Sequence, residues 1–283
     1  MTVCILGSIN LDHFVRVKNI PRPGETVAAL TSFDAPGGKG ANQAVGAARA
    51  HAAVTFFGSV GDDVAGAMLT EHLSSHGVNI SNVRCLPDTQ TGMAFITVAE
   101  DGENHIVAAA NANSNIELPS VDLLAGCKVA LAQLETPVDA VASFLKAAEK
   151  QGAIRVLNTA PALPEARTLF DLVDVLVLNE IEISTYLGRP ITHDSLADSR
   201  KLLTRPEQCV VVTLGQRGAA MINLQSVIHI PAAPVATVVD TTGAGDAFCG
   251  TLAAQLCHER DWKKILATAN QAAGRCVERQ GAI

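Results

Sequence analysis

The sequence predicts an α/β fold: a three-layer α/β/α sandwich around a mainly parallel central sheet. Three observations carry that prediction. Short apolar runs rich in Val, Ile and Leu recur along the 283 residues, each ending at a polar residue or Gly. Helical patterns lie between several of them, and strands that alternate with helices form parallel sheets covered on both faces. Hydrophobic residues make up 48% of the chain but aromatics only 4%, so the core must be built from Ala, Val, Leu and Ile. The length suits one large α/β unit over 1–283, and no Ser/Pro-rich linker, low-complexity tract or repeat divides it.

Val3 to Gly7 predicts a first buried strand. Ala41 to His51 is Ala-rich, follows a glycine cluster and predicts a helix. Val54 to Gly58 predicts the next strand, and Val64 to His76 the next helix. Val129 to Gln133, Ile154 to Asn158, Val173 to Leu178 and Val210 to Leu214 repeat the strand pattern. Val138 to Gln151 and Ser195 to Leu203 read as helical. A further strand is expected to end near Val239, before an apolar helix through Leu252, Ala253 and Leu256.

Two stretches break this rhythm. Asn10 to Pro36 holds alternating segments with Pro21, Pro23 and Gly24 at its turn. Thr91 to Asn113 reads as two short strands around Glu100-Asp101-Gly102-Glu103, and an Asp-Gly pair between alternating residues signals a hairpin. Together these stretches, about 10–36 and 91–113, predict a small β-sheet laid across the main unit as a lid.

Composition excludes several classes. The formal net charge is −7 and no Lys/Arg cluster supplies the basic face of a nucleic-acid binder. The seven cysteines include no Cys-x-x-Cys pair, which suits reduced thiols and a cytoplasmic setting. Asn10 and Asp12 interrupt the first apolar run, so no leader is expected. No stretch approaches the ~18 apolar residues that a membrane span needs. The eight histidines form no metal-binding spacing.

Four motifs carry chemistry. In Asp240 to Gly250 a glycine turn opens a helix, so backbone N–H groups converge where an anion is favoured. Asp246 projects from the first turn beside them, an arrangement that suits phosphoryl transfer with a carboxylate as proton acceptor. Its structural alternative is a partner for the helix dipole. Gly37 to Gln43 is a second glycine turn before a helix, and either a tight turn or a close-approach site for a small polar ligand near Asn42. It is neither a Walker A loop nor a dinucleotide fingerprint, because Gly40 stands where Ser or Thr is required and the third Gly is absent. Asn179 and Glu182 at a strand end suit a water-coordinated Mg²⁺ beside phosphates, or a plain helix start. Thr213 to Gly218 could lie along a nucleotide, or form an ordinary β-turn. Asn10 and Asp12 follow the first strand, where open α/β sheets bind ligands; Asp12 with Asn42 would suit vicinal hydroxyls, or Asp12 is a turn former.

In this order the segments resemble the ribokinase family of carbohydrate kinases, the phosphofructokinase B type, over essentially the whole chain. The resemblance extends to Gly7 to Asp12, Pro23 to Thr26, Gly61-Asp62-Asp63 and Gln133-Leu134-Glu135. It implies an ATP-dependent kinase that phosphorylates the primary hydroxyl of a small sugar, with D-ribose favoured by the Asn10-Leu11-Asp12 and Gln133-Leu134-Glu135 segments. It implies Asp246 as catalytic base and the backbone of Gly243, Ala244 and Gly245 as anion hole. Asn10, Asp12, Gly38, Lys39, Asn42 and Glu135 would contact the sugar. Asn179, Thr213, Gly215, Gly218, Gly245 and Asn270 would line the ATP site, with Glu182 holding Mg²⁺ through water. Asp240 and Thr242, with backbone carbonyls near Cys276, Arg279 and Gly281, would bind a monovalent cation, K⁺. A homodimer clasped through the lid is also implied.

Two features depart from the family pattern. The sequence ends at Ile283, ahead of the serine that completes the family's cation site, so water is expected to replace one ligand. Ala108 to Asn113 reads Ala-Ala-Ala-Asn-Ala-Asn in place of a Gly-Ala-Asn form. The alternatives are a superfamily kinase acting on a nucleoside, deoxyribose or fructose, and a non-catalytic sugar-binding protein.

Overall fold

The structure is a computed structural model and describes residues 2–117 and 120–282. The chain opens with β1 (Thr2–Leu6), β2 (Asn10–Val17), β3 (Thr31–Gly37), α1 (Lys39–Arg49), β4 (Ala53–Gly61), α2 (Val64–Ser75) and β5 (Val78–Leu86). It continues through β6 (Gly92–Ala99), β7 (Asn104–Ala109), β8 (Cys127–Ala132), α3 (Val138–Lys150), β9 (Ile154–Asn158), β10 (Val175–Asn179) and α4 (Glu180–Leu187). β11 (Cys209–Thr213), β12 (Ala219–Ile222), β13 (Val227–Ile230), α5 (Ala244–Leu256) and α6 (Trp262–Val277) follow.

Nine strands form the main sheet, in the order β13-β12-β11-β10-β9-β8-β1-β4-β5. The pairings from β11 to β5 are parallel, and β12 and β13 add an antiparallel edge. The residues of β1 show why the layers form. Val3 and Ile5 point into the core shared with α1, α2, α5 and α6, while Cys4 and Leu6 point into the core shared with α3 and α4. Both faces of the strand are buried, so its sequence is apolar without alternation. Phe56 anchors one core and Phe144 the other, both at 0% exposure. Each such side chain contributes about 1.5–3 kcal/mol on burial.

α1 and α5 lie against each other within the first core. A Cβ on Gly250 would sit 2.2 Å from the Gln43 carbonyl oxygen, so only glycine allows the two backbones to approach this closely. That approach brings Asn42 and Gln43 of α1 beside Asp246 of α5.

A second sheet, ordered β3-β2-β6-β7, comes from the two stretches that break the helical rhythm. β6 and β7 form the expected hairpin, with the Gly102 N–H donating to the Ala99 carbonyl at 3.0 Å. One face packs Phe14, Ala94 and Ile96 with Phe33. Phe95, Ile106 and Val107 remain 50–67% exposed.

Two expectations are corrected. No strand ends near Val239. Val238 and Val239 are exposed, and the Val239 N–H donates to the Val277 carbonyl, so this segment follows the end of α6 instead of joining a sheet. Ser195 to Leu203 is a 3₁₀ stretch over His193–Leu202 and not an α-helix. β5 was unexpected because it pairs only with β4 at the sheet edge, and its Asn79, Ser81, Asn82 and Arg84 blur any apolar run.

Candidate active site

The order of the main sheet reverses at β1: β4 and β5 lie on one side, β8 to β13 on the other. In open α/β sheets the crevice at such a switch, beyond the carboxyl ends of the strands, receives ligands. Gly7 and Ser8 follow β1, Gln133 to Glu135 follow β8, and Asn158, Asn179 and Thr213 close β9, β10 and β11.

α5 opens here. Gly243 holds φ at 75°, and a Cβ on it would meet the Ala282 carbonyl oxygen at 2.2 Å, so the turn demands glycine on both counts. No side chain caps this helix among the described residues. The Ala244 N–H leans back on the Thr241 carbonyl at 3.3 Å. Asp246 is 8% exposed. Its Oδ1 accepts from Gln43 Nε2 at 2.9 Å and its Oδ2 from Asn42 Nδ2 at 3.1 Å. Burial pushes the carboxyl up, while the Lys39 ammonium and the Gln43 and Asn42 amides pull against that rise.

A cavity of about 150 Å³ joins Asp246, Lys39, Asn158, Asn179, Glu182, Gly243 and Gly245. Burial works against the Lys39 charge, but Asp246, Glu135 and Glu182 outweigh it and hold the ammonium protonated. Asn179 and Glu182 pair with each other. The Asn179 N–H and Nδ2 donate to the Glu182 carboxylate at 2.9 Å each, and the Glu182 N–H returns a bond to Asn179 Oδ1, a capping box that starts α4. Burial pushes the Glu182 carboxyl up, against the Asn179 N–H and Lys39.

On one side lies a cavity of about 610 Å³, lined by Asn179, Thr213, Gly215, Gly218, Ala244, Gly245 and Asn270 among others. Its volume suits a nucleotide-sized ligand, and its wall is largely apolar with Val235, Val238, Phe248 and Val277. Both Asn270 amide hydrogens are already engaged by the Ile230 and Pro231 carbonyls, at 3.1 and 2.9 Å. Asn270 therefore pins the entry to this wall as well as lining it.

On the other side, under the second sheet, a cavity of about 450 Å³ includes Asn10, Asn113 and Glu135. Glu135 Oε2 accepts from Ser8 Oγ at 2.6 Å and from the Lys39 N–H at 3.0 Å. Gly38 precedes Lys39 with φ 91°. Asp12 is 8% exposed and its Oδ1 has no hydrogen-bond partner among the described residues. Burial, with help from Glu135, pushes its carboxyl up to about 7. An orphaned buried acceptor is costly unless a ligand supplies the donor. Sequence reasoning missed Asn113, whose amide holds the entry to β2: it accepts from the Ile9 N–H at 2.9 Å and donates to Asn10 Oδ1 at 2.7 Å. It also missed Ser8, Asn158 and Gln133 as site neighbours.

Behind the α5 turn, Asp240 Oδ1 accepts from the Thr242 N–H at 2.9 Å and Oδ2 from the Gly281 N–H at 3.1 Å. Partial burial pushes the Asp240 carboxyl up, but these donors outweigh it and hold it low. The Cys276 thiol reaches the Thr242 and Ala282 carbonyls at 3.5 and 3.0 Å. A carboxylate beside hard carbonyl oxygens is a donor set that fits a monovalent cation. The Arg279 N–H donates to the Cys276 carbonyl at 3.1 Å, and Arg279 lines a cavity of about 360 Å³ together with Cys276, Gly281 and Ala282. No group of His, Cys, Asp and Glu among the described residues is arranged to bind a metal ion directly. No helix among them is long and apolar enough to cross a membrane.

The model of the pfkB family carbohydrate kinases matches residues 1–283. The chain is 37% identical to the bifunctional ribokinase/ribose-5-phosphate isomerase A of Fructilactobacillus sanfranciscensis over 90% of its own length, and it spans 48% of that protein. It is 34% identical to the ribokinase of Schizosaccharomyces pombe over 100% of its length and 93% of that protein. The deoxyribokinase of Salmonella typhi is also 34% identical, over 89% of this chain and 85% of the relative. Among solved structures, Arabidopsis thaliana ribokinase complexed with ribose and ATP superposes with a TM-score of 0.89 at 31% identity, covering 99% of this chain and 93% of that one.

Proposed function

We propose a reaction from one premise: the chain belongs to the pfkB family of carbohydrate kinases. The reaction is transfer of the γ-phosphoryl group of ATP to the primary hydroxyl of D-ribose, giving ribose 5-phosphate and ADP. The observation that carries it is the placement of Asp246, on the first turn of an uncapped helix between a nucleotide-sized cavity and a polar one.

Asp246 takes the proton of the sugar hydroxyl as its oxygen attacks the γ-phosphorus. The N–H groups of Gly243, Ala244 and Gly245 meet the charge that develops on the phosphoryl oxygens. Asn10, Asp12, Gly38, Lys39, Asn42 and Glu135 hold the sugar, with the orphaned Asp12 oxygen as a ready hydroxyl acceptor. Asn179, Thr213, Gly215, Gly218, Gly245 and Asn270 line the ATP site. Glu182 would hold Mg²⁺ through water; when bound, the ion supplies neutralisation of the β- and γ-phosphate charge. Asp240, with Thr242 and the carbonyls near Cys276, Arg279 and Gly281, would hold K⁺, which when bound supplies a fixed charge behind the α5 turn. The second sheet acts as a lid, and its exposed Phe95, Ile106 and Val107 suit pairing with a second copy. The seven unbonded cysteines are consistent with a cytoplasmic setting.

A coupled ADP-release assay over pentoses, hexoses and nucleosides tests this. D-Ribose should give the highest kcat/KM. A site built around hydroxyl acceptors rejects an analogue lacking the hydroxyl by up to ~10⁴–10⁵-fold. Deoxyribose is the rival with an observation behind it, since the deoxyribokinase relative is as similar as the yeast ribokinase. Equal or better turnover of deoxyribose, fructose or a nucleoside would replace ribose. No ADP release with any sugar would remove the reaction altogether.

A further inference from the structure

We infer that Gln43 and Gln133 form a buried carboxamide relay that fixes the Asp246 carboxylate in place and keeps it ionised. Both are positioning residues, and the inference rests on the reading of Asp246 as proton acceptor.

Both glutamines are 0% exposed, and neither lines the nucleotide, central or sugar-side cavity. Gln43 Nε2 donates to Asp246 Oδ1 at 2.9 Å and to Asn158 Oδ1 at 3.1 Å. Gln133 Nε2 donates to Gln43 Oε1 at 2.7 Å. A carboxylate only accepts hydrogen bonds, so it selects the donor end of the Gln43 amide. That choice turns Gln43 Oε1 toward Gln133 and selects the donor end of the second amide in turn. These amide orientations are the ones the hydrogen-bond network assigns. The direction of both side chains thus follows from the charge on Asp246, and each amide resists a turn of the next.

The relay is costly as a packing device. Gln133 Oε1 has no hydrogen-bond partner among the described residues, although it is buried. Such an orphan carries its full desolvation penalty, which an apolar side chain would avoid. The space it occupies is left open by Gly7, where a Cβ would lie 2.1 Å from that oxygen. The penalty falls where the sheet order reverses, next to the carboxylate that must be oriented.

Asp246 is surrounded by groups that pull in both directions. Lys39 on α1, Glu182 on α4 and Cys249 on the next turn of α5 line the same cavity, and Asp12 on β2, Glu135 beyond β8 and Cys276 on α6 are near enough to interact with it electrostatically. Burial and Glu135 favour the protonated form, while Lys39, then Gln43, then Asn42 favour the carboxylate. Removing the Gln43 donor leaves Asn42 as the one side-chain donor of those two.

Gln43→Met keeps the volume and removes the amide. Its acid limb of kcat/KM should move to higher pH, so activity falls at least about threefold more on the acid limb than on the plateau. A glutamine that merely packs would lower activity equally at every pH. Gln133→Met should move the limb in the same direction but less, because Gln43 is then free to turn. The double variant should move it no further than Gln43→Met alone, since Gln133 acts through Gln43. A ¹³C NMR titration of Asp-carboxyl-labelled protein gives a readout that needs no turnover. The Asp246 signal is the one lost in Asp246→Asn, and its midpoint should rise in Gln43→Met. If the wild type phosphorylates no sugar, the proposed reaction fails and the NMR titration still decides the relay. An unmoved midpoint in folded Gln43→Met overturns it. Should Gln43→Met not fold, an unmoved midpoint in Gln133→Met overturns it equally.

Discussion

α1 and α5 begin in the same way and are used differently. Each opens on a glycine with positive φ, 91° at Gly38 and 75° at Gly243, and neither glycine offers a capping side chain. The mouth of α1 is nevertheless filled from inside the protein. The Lys39 N–H donates to the Glu135 carboxylate, and the Gly40 and Ala41 N–H groups donate to the Ser8 hydroxyl and carbonyl. At α5 no side chain does this among the described residues. A helix N-terminus favours an anion in either case. At α1 the fold supplies that anion itself; at α5 the phosphoryl group of the proposed reaction would be the anion. A glycine turn before a helix therefore identifies a mouth, and its lining decides whether that mouth binds ligand or supports the residues beside it.

The largest test of this contrast is Asp246→Asn. It keeps the shape of the α5 mouth and removes the proton acceptor, so kcat should fall roughly 10²–10⁴-fold while the KM for ribose changes far less. A folded variant with more than about half the wild-type activity would reduce Asp246 to a charge at a helix end. Glu135→Gln breaks the other mouth. It removes the internal anion of α1 and one proposed sugar contact, and a hydrogen bond to a charged group is worth about 1.5–3 kcal/mol. We expect kcat/KM for ribose to drop roughly 10–100-fold, with the KM for ATP little changed. If the KM for ATP moves as much, the two mouths are not separate in function.

Asp12→Asn sharpens the comparison through stability. Burial lifts the Asp12 carboxyl to about 7 in the folded protein from an ordinary 3.8. The native state therefore binds more protons than the unfolded chain between those values, and stability falls as pH rises through that window. Asparagine does not titrate. The variant should be more stable than wild type at pH 8, on the order of 1–4 kcal/mol, and much closer to it near pH 4. Denaturant midpoints at both pH values check this, and parallel profiles would clear Asp12 of strain. The same variant should be the poorer kinase. The smallest effect expected is a few-fold activation by KCl over choline chloride at constant ionic strength, with Mg²⁺ and ATP saturating, because an ion at Asp240 would steady only the rear of the α5 turn. Equal rates in both salts, with residual K⁺ excluded, would argue that the Thr242 and Gly281 amides suffice.

The central strands were legible because β1 and β8 to β11 are buried on both faces and carry little but apolar residues. The second sheet was legible from its alternation and its Asp-Gly turn. β5 was not, because an edge strand can carry Asn79, Asn82 and Arg84 without cost. At the site, contiguous motifs could be read directly: Gly37 to Gln43 and Asp240 to Gly250 each lie on one turn and one helix start. Residues that act through distant partners left no local trace. Gln43 reads like any polar helix residue until Gln133 and Asp246 are seen to hold it, 90 and 203 positions away. Asn179 and Glu182 show the reverse, since their spacing fits both a metal site and the capping box they form.

The pairing of α1 with α5 also sets a timetable. A ribosome adds about 5–20 residues per second, so the partner that closes over α1 follows it by roughly 10–40 s. Throughout that interval Val45, Ala47 and the Gly46 surface of α1 lack the helix that buries them in the finished protein. Arrested nascent chains that stop before α5 should therefore show rapid amide exchange in α1, and chains released after α6 should show it suppressed.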